Sequence, residues 1–234
     1  NKHDENRRII RLLFLHKSSI DMLWRHSEIL IMVCIYKTNR FRLLLVNTVG
    51  IASINRTFTV GSYFLSDEGE SSMLWIFRHL KMVYDQLYLL PPVTIVTDGD
   101  EALQNAICSF YPFTNHILCL WYIIKNVQLH TKQIFRAEAL ITRPPLSWKQ
   151  VTERVREQWN SFLESCYPVL NAQTEESFNK LRNQSRSKPL LMDYLSDELL
   201  LKKAKIVQYW TNNVLYFGTI VMSRGEATYS SLKS

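Results

Sequence analysis

Along this chain the spacing of apolar residues changes twice, and those changes mark its organisation. Between Ile9 and Trp24 apolar positions recur at roughly helical intervals, which predicts a helical lead-in over residues 1–28. Ile29-Leu-Ile-Met-Val33-Cys-Ile35 is then a continuous, partly β-branched run, followed by the polar turn Lys37-Thr-Asn-Arg40 and a second apolar run from Leu43 to Ile54. This pattern predicts a hairpin. Asn55-Arg56 turns the chain into a third strand, Thr57 to Leu65, expected to pair antiparallel with the second.

The period then lengthens. Met73, Ile76, Phe77, Leu80, Val83, Tyr84 and Leu87 lie on one stripe between Ser71 and Leu90, predicting an amphipathic helix that Pro91-Pro92 stops. Val93 to Thr97 reads as a short strand with Asp98 at its C-terminal end, Asp100 to Phe110 as a helix, and His116 to Cys119 as another strand. The order β-β-β-α-β-α-β defines an α/β core over residues 29–120 with a mixed sheet flanked by helices. Residues 121–217 read as an all-helical insertion with breaks near Arg143-Pro-Pro145 and Ser185 to Pro189, and 218–234 as a return segment whose helix packs back on the sheet. No fixed-period repeat or low-complexity tract is visible.

Composition narrows the class. With 234 residues, 47% of them hydrophobic, the chain can bury a sizeable core. No apolar run approaches the ~18 residues of a membrane span, and the charged start Asn1 to Arg8 lacks the apolar segment of a secretory signal. The absence of an initial Met leads us to expect a piece of a longer protein. Cys34, Cys108, Cys119 and Cys166 lie far apart, mostly within apolar stretches, the pattern of reduced thiols in an intracellular protein. The formal charge of +7 suits a phosphate-rich partner. Between Glu28 and Asp67 there is no acidic residue, while Lys37, Arg40, Arg42 and Arg56 fall within that window. They fit either a nucleic-acid backbone contact or solvated turns.

Two segments offer carboxylates at element ends: Asp98 after Val93-Thr-Ile-Val-Thr97, and Glu226 in Ser223-Arg-Gly-Glu226. Each has two readings from the residues alone. Asp98-x-x-Glu101 and Ser223-x-x-Glu226 are capping-box patterns, yet a carboxylate at a strand or helix end is also where a metal-dependent nuclease core needs one.

Several blocks in order resolve the choice toward a family. Val33-Cys-Ile-Tyr36-Lys-Thr-Asn-Arg-Phe41, Val96-Thr-Asp98, His116-Ile-Leu-Cys119-Leu-Trp121, Trp210-Thr-Asn-Asn, Phe217-Gly218 and Ser223-Arg-Gly-Glu226 resemble the catalytic core of Mutator-like element (MULE) transposases, a core shared by the far-red-impaired-response regulators. The resemblance runs from about Leu13 to the last residue. It implies an RNase H-like fold of the DDE transposase and integrase type, DNA transposition by metal-dependent strand cleavage and transfer, Mg²⁺ or Mn²⁺ as cofactor, transposon terminal inverted repeats as DNA partner, homo-oligomerisation and a nuclear location. It also implies three acidic positions: 33, Asp98 and Glu226, the last two as catalytic metal ligands. Nucleic-acid contacts are assigned to Lys37, Arg40, Arg42 and Arg224.

The chain departs from this pattern where it matters most. Val33 holds the first acidic position, and no Asp or Glu between 29 and 66 can replace it by a register slip. Cys34 is adjacent but belongs to the opposite strand face, and thiolates are poor Mg²⁺ ligands. Tyr122 stands where the family has the His of a Cys-x-x-His pair with Cys119, leaving Cys119 and His116 as packing residues. Ile35 replaces a usual Thr, and Tyr229 a usual His. The expected protein is therefore a MULE-type transposase domain of impaired catalysis, a pseudoenzyme. The alternatives are an active DDE enzyme using Asp98 and Glu226, or a domesticated DNA-binding transcription regulator.

Overall fold

The computed structural model describes residues 2–3, 8–36, 39–142, 146–184, 202–212 and 214–215. Contacts divide the chain into two compact units, residues 1–121 with 214–234, and residues 122–213.

The first unit is built on a seven-stranded sheet of order β1-β2-β5-β4-β3-β6-β7. Its strands are β1 (Lys2–His3), β2 (Ile9–Phe14), β3 (Ile29–Ile35), β4 (Leu44–Ile51), β5 (Thr57–Leu65), β6 (Thr94–Thr97) and β7 (Asn115–Leu118). β3, β4 and β5 form the expected antiparallel meander. β6 then joins β3 in parallel and β7 joins β6 in parallel. A three-stranded meander extended from its first strand by two parallel strands is the RNase H-like arrangement.

The sequence dictates which strands lie inside. All seven residues of β3 are apolar and six are buried, as expected of a central strand covered on both faces. On one face Leu30, Met32, Cys34, Val46 and Tyr63 pack with the stripe Met73, Ile76, Phe77, Leu80 and Tyr84 of α2 (Glu70–Gln86) and with Leu103, Ala106 and Ile107 of α3 (Glu101–Phe110). Tyr84 anchors α2 by donating to the Ser27 carbonyl at 2.8 Å.

One N-terminal expectation is corrected. Ile9–Phe14 is strand, not helix, and only Lys17–Arg25 forms a helix, α1. The reason is tertiary: β2 satisfies its backbone groups along β5, with Arg11 opposite Leu65 and Leu13 opposite Tyr63. Six residues are too few for apolar spacing to separate a helix from an edge strand. Arg11 is drawn inward, donating from Nη2 to Ser71 Oγ at 2.7 Å.

The second unit is helical among the described residues. α4 (Leu120–Leu140) begins at the end of the first unit, and α5 (Trp148–Leu170) opens with a capping box between Ser147 and Gln150. α6 (Glu175–Gln184) follows, and Phe178 packs edge-on against Trp210 at 5.2 Å between ring centroids. The expected breaks at 143–145 and 185–189 and the return segment 218–234 lie outside the described residues.

Candidate functional site

Strands β3, β6 and β7 run parallel, so their C-terminal ends share one rim of the sheet. The antiparallel pairings bring the start of β4 and the end of β5 to the same rim, with Leu44 opposite Leu65. Three connections therefore meet there: residues 36–43, 66–69 and 98–100. Rims at the carboxyl ends of parallel strands are where open α/β sheets place their chemistry.

Asp98 sits on this rim immediately beyond β6. It is not the cap of α3: that role belongs to Asp100, whose Oδ1 accepts from the Leu103 amide at 2.8 Å. The capping-box reading of Asp98 is thus overturned. Asp98 Oδ1 accepts from the Asp100 amide at 3.4 Å and takes a further hydrogen bond from the Cys34 thiol. Burial holds the Asp98 carboxyl above the usual carboxylate range and the charge of Asp100 adds to the rise, while hydrogen bonds from the Asp100 amide, its own amide and the Cys34 thiol oppose it. Gly99 turns the chain directly after it with φ 93°, a left-handed conformation. Gln104 Nε2 fastens that turn by donating to the Gly99 carbonyl at 2.9 Å.

Val33 is fully buried, at 0% exposure. The β3–β6 register sets Ile31 opposite Val96, and the same offset puts position 33 level with Asp98. Across β4 its partner is Asn47, whose own partner on β5 is Ser62, so the three side chains share one face. Ser62 Oγ donates to Asn47 Oδ1 at 3.1 Å, while Asn47 Nδ2 is buried and finds no acceptor. A buried donor without a partner costs about 1–3 kcal/mol, and the side chain opposite it is a valine.

Cys34 lies on the α2-covered face and meets Asp98 at the rim. Burial pushes its thiol well above its ordinary value, reinforced by the charges of Asp98, Asp100 and Glu68, so it is a neutral thiol at physiological pH. Tyr36 donates to Glu68 Oε2 at 3.1 Å. Burial and the nearby Cys34 and Glu68 raise its phenol. Spacing along the chain does not single out Glu68, although the β3–β4 and β4–β5 registers bring the end of β5 to the same rim as the end of β3.

The cationic candidates are only partly visible. Arg40 and Arg42 are at the tip of the β3–β4 connection, on the Asp98 rim. Asn39 braces that tip: its Oδ1 accepts from the Phe41 and Leu43 amides, and its Nδ2 donates to the Leu43 carbonyl at 2.8 Å. Arg40 stacks over Phe41, 4.7 Å from the ring centroid, and Arg42 adopts φ 57°. Lys37, Arg224 and Glu226 lie outside the described residues. His116, grouped with Cys119 by sequence, pairs through Nε2 with Thr97 Oγ1 at 2.7 Å, and Cys119 is buried.

Among the described residues no three His, Cys, Asp or Glu side chains converge to hold a metal ion. Among the described residues the rim offers the partly buried Asp98, Asp100 engaged as the cap of α3, Glu68 engaged by Tyr36, a protonated thiol, and a valine level with Asp98. These donors do not compose a Mg²⁺ or Mn²⁺ site, which requires several oxygen ligands in near-octahedral geometry.

Comparison with known proteins agrees with the topology. Residues 30–126 match the MULE transposase domain. FAR1-RELATED SEQUENCE 5 of Arabidopsis thaliana is 30% identical over 100 residues, 43% of this chain and 12% of the relative. A stretch of the PKS-NRPS hybrid synthetase cheA of Chaetomium globosum is 30% identical over 101 residues, again 43% of this chain but 2% of that protein. The chain thus spans a small part of the curated relatives it matches. The HTLV-2 integrase catalytic core domain, solved in complex with magnesium, aligns with a TM-score of 0.26 and 12% identity over 55% of this chain and 81% of that one. The RNase H-like assignment stands on the strand order and not on that alignment. Through residues 30–126, this chain is similar to the MULE transposase domain and to the FAR1-related proteins.

Proposed function

We propose that this transposase-type domain has kept the scaffold and DNA-handling surface of a MULE transposase while losing efficient strand cleavage. The observation that carries this reading is Val33: fully buried, level with Asp98 and facing an orphaned Asn47 amide. Phosphoryl transfer in such sites depends on metal ions clamping the attacking and leaving oxygens, and each ~1.4 kcal/mol of lost stabilisation slows the reaction tenfold. Removing one of the acidic ligands should therefore cost several orders of magnitude in rate. Asp98 and Glu226 are the residues we assign to the remaining acidic positions, with terminal-repeat DNA as partner and the nucleus as the place of action.

The test is a nicking assay on terminal-repeat duplex DNA in Mg²⁺ or Mn²⁺, comparing wild type, Val33→Asp and Asp98→Asn. Wild type is expected to match Asp98→Asn at background, and Val33→Asp to gain metal-dependent nicking. Wild-type nicking that disappears in Asp98→Asn would overturn the impaired reading and establish an active enzyme. Salt-dependent DNA binding indifferent to Asp98→Asn, with no gain from Val33→Asp, would favour a DNA-binding regulator.

A further inference from the structure

The helical unit carries a groove that strand cleavage at the rim does not use. α4 and α5 lie side by side and antiparallel, because Gln128 meets Trp159 at one end of the pair while Arg136 meets Trp148 at the other. The groove between them is open and holds about 490 Å³. α4 contributes Gln128, Lys132 and Arg136 at four-residue steps, one helix face, and α5 contributes Trp148, Arg156 and Trp159. Among the described residues no carboxylate lines it. Glu153 stands beside it, with Oε1 reaching Arg156 Nη2 at 3.4 Å on the exposed side.

The two tryptophans are treated differently. Trp159 is 6% exposed, lies tilted against Phe162 at 5.5 Å between ring centroids and, with the Gln128 amide oriented to turn its oxygen toward the ring, donates through Nε1 to that oxygen at 3.0 Å, so it is the groove's fixed floor. Lys132 Nζ donates to the same oxygen at 3.2 Å, which holds its ammonium over the groove. Trp148, in contrast, is 67% exposed, with the Arg136 guanidinium 5.2 Å from its ring on one side. Solvent is a costly place for a ring of this size to stand.

We infer that this groove is a binding site for single-stranded nucleic acid: Trp148 stacks an unpaired base, and Lys132, Arg136 and Arg156 take the flanking phosphates. The volume suits one nucleotide. The oxygen of Gln128 is taken up by Trp159 and Lys132. An open aromatic face beside cations is the combination that binds unpaired strands with little sequence preference. A base in a duplex is stacked on both faces and cannot offer one to Trp148, so the pairing state of the strand is the discriminating variable. The site belongs to the helical unit and does not depend on position 33, so it stands or falls apart from the cleavage reading.

The experiment is fluorescence anisotropy with the full chain and three labelled probes of equal length: oligo-dT, the matching dT·dA duplex and poly-glutamate. Wild type is expected to prefer the single strand, and Trp148→Ala to weaken it about tenfold or more while leaving poly-glutamate unchanged. Lys132→Gln with Arg136→Gln should flatten the salt dependence of single-strand binding. Equal binding of duplex and single strand, tighter binding of poly-glutamate, or no effect of Trp148→Ala would each overturn the inference. Because Trp148 is exposed its variant should fold. If circular dichroism shows otherwise, Arg136→Gln alone replaces it, and an unchanged affinity there would overturn the inference equally.

Discussion

The rim of the sheet and the groove of the helical unit make opposite use of charge. At the rim Asp98, Asp100 and Glu68 act together on a neutral Cys34, a surrounding that a proton or an added cation would relieve. In the groove Lys132, Arg136 and Arg156 gather around tryptophans, with Glu153 beside Arg156 on the exposed side and no carboxylate among the described lining residues, a surrounding that an added polyanion would relieve. On the function proposed above, one substitution, at position 33, is enough to disable the first, because metal chemistry needs every ligand in place. The second depends on several weak contacts, none of which is indispensable. Cutting and holding therefore fail independently in a molecule of this kind.

The sharpest way to break the comparison is at the rim's buried row. Val33→Asp places a carboxyl at a fully buried position, and unfolding in urea should show a loss of about 3 kcal/mol or more at neutral pH. Asn47 Nδ2 is poised to soften that loss. Asn47→Ala in the Val33→Asp background should therefore cost more than Asn47→Ala in wild type, and strictly additive costs would show that the two side chains do not meet.

In the groove, the floor and the open ring separate stability from binding. Trp159→Ala should lose about 3 kcal/mol, since it empties a buried, stacked position, whereas Trp148→Ala should change thermal unfolding by less than about 0.5 kcal/mol. Comparable losses for both would mean that Trp148 is structural.

Smaller effects surround Asp98. Gly99→Ala forces a Cβ into φ 93° although its nearest neighbour, Leu118 Cδ2, would be at a comfortable 3.6 Å, so the cost of about 1–2 kcal/mol is conformational and should appear as a lower Tm. Asp100→Ala removes the cap of α3 and should cost about 1 kcal/mol. Asp98→Asn should go the other way. The Asp98 pKa is raised in the folded state, so the ionised form disfavours folding above that pKa, and the penalty fades as pH falls through it. The Asn variant is thus expected to be the more stable protein at pH 7, by no more than about 1 kcal/mol, with the gap closing toward the ordinary carboxylate range. A wild type more stable than Asp98→Asn at pH 7 would mean that the bonds to Cys34 and the Asp100 amide outweigh desolvation.

Much of the sheet was legible in the sequence because period-2 and continuous apolar runs are unambiguous over seven to nine residues. β5 begins and ends where its pattern does, at Thr57 and Leu65. Ile9–Phe14 was not legible, since its strand character comes from β5, which lies far along the chain. At the site, Asp98 could be placed at a strand end, but its freedom from a capping role could not be seen. Two aspartates lie two residues apart, and only the backbone decides that Asp100 takes the Leu103 amide. Glu68 and the orphaned Asn47 amide were invisible for the same reason: both are properties of register between strands, not of spacing within one.

Thr94 Oγ1 donates to the Leu215 carbonyl at 2.6 Å, joining β6 to a residue on the far side of the helical excursion. From the standpoint of the first unit, residues 122–213 behave as a closed loop, and loop-closure entropy grows only with the logarithm of length. Doubling such a loop adds about 0.6 kcal/mol. The sheet therefore imposes almost no limit on how large the excursion becomes. A lineage carrying this scaffold is free to lengthen, shorten or replace its helices, and with them whatever strand the groove holds, without renegotiating the core that supports Asp98.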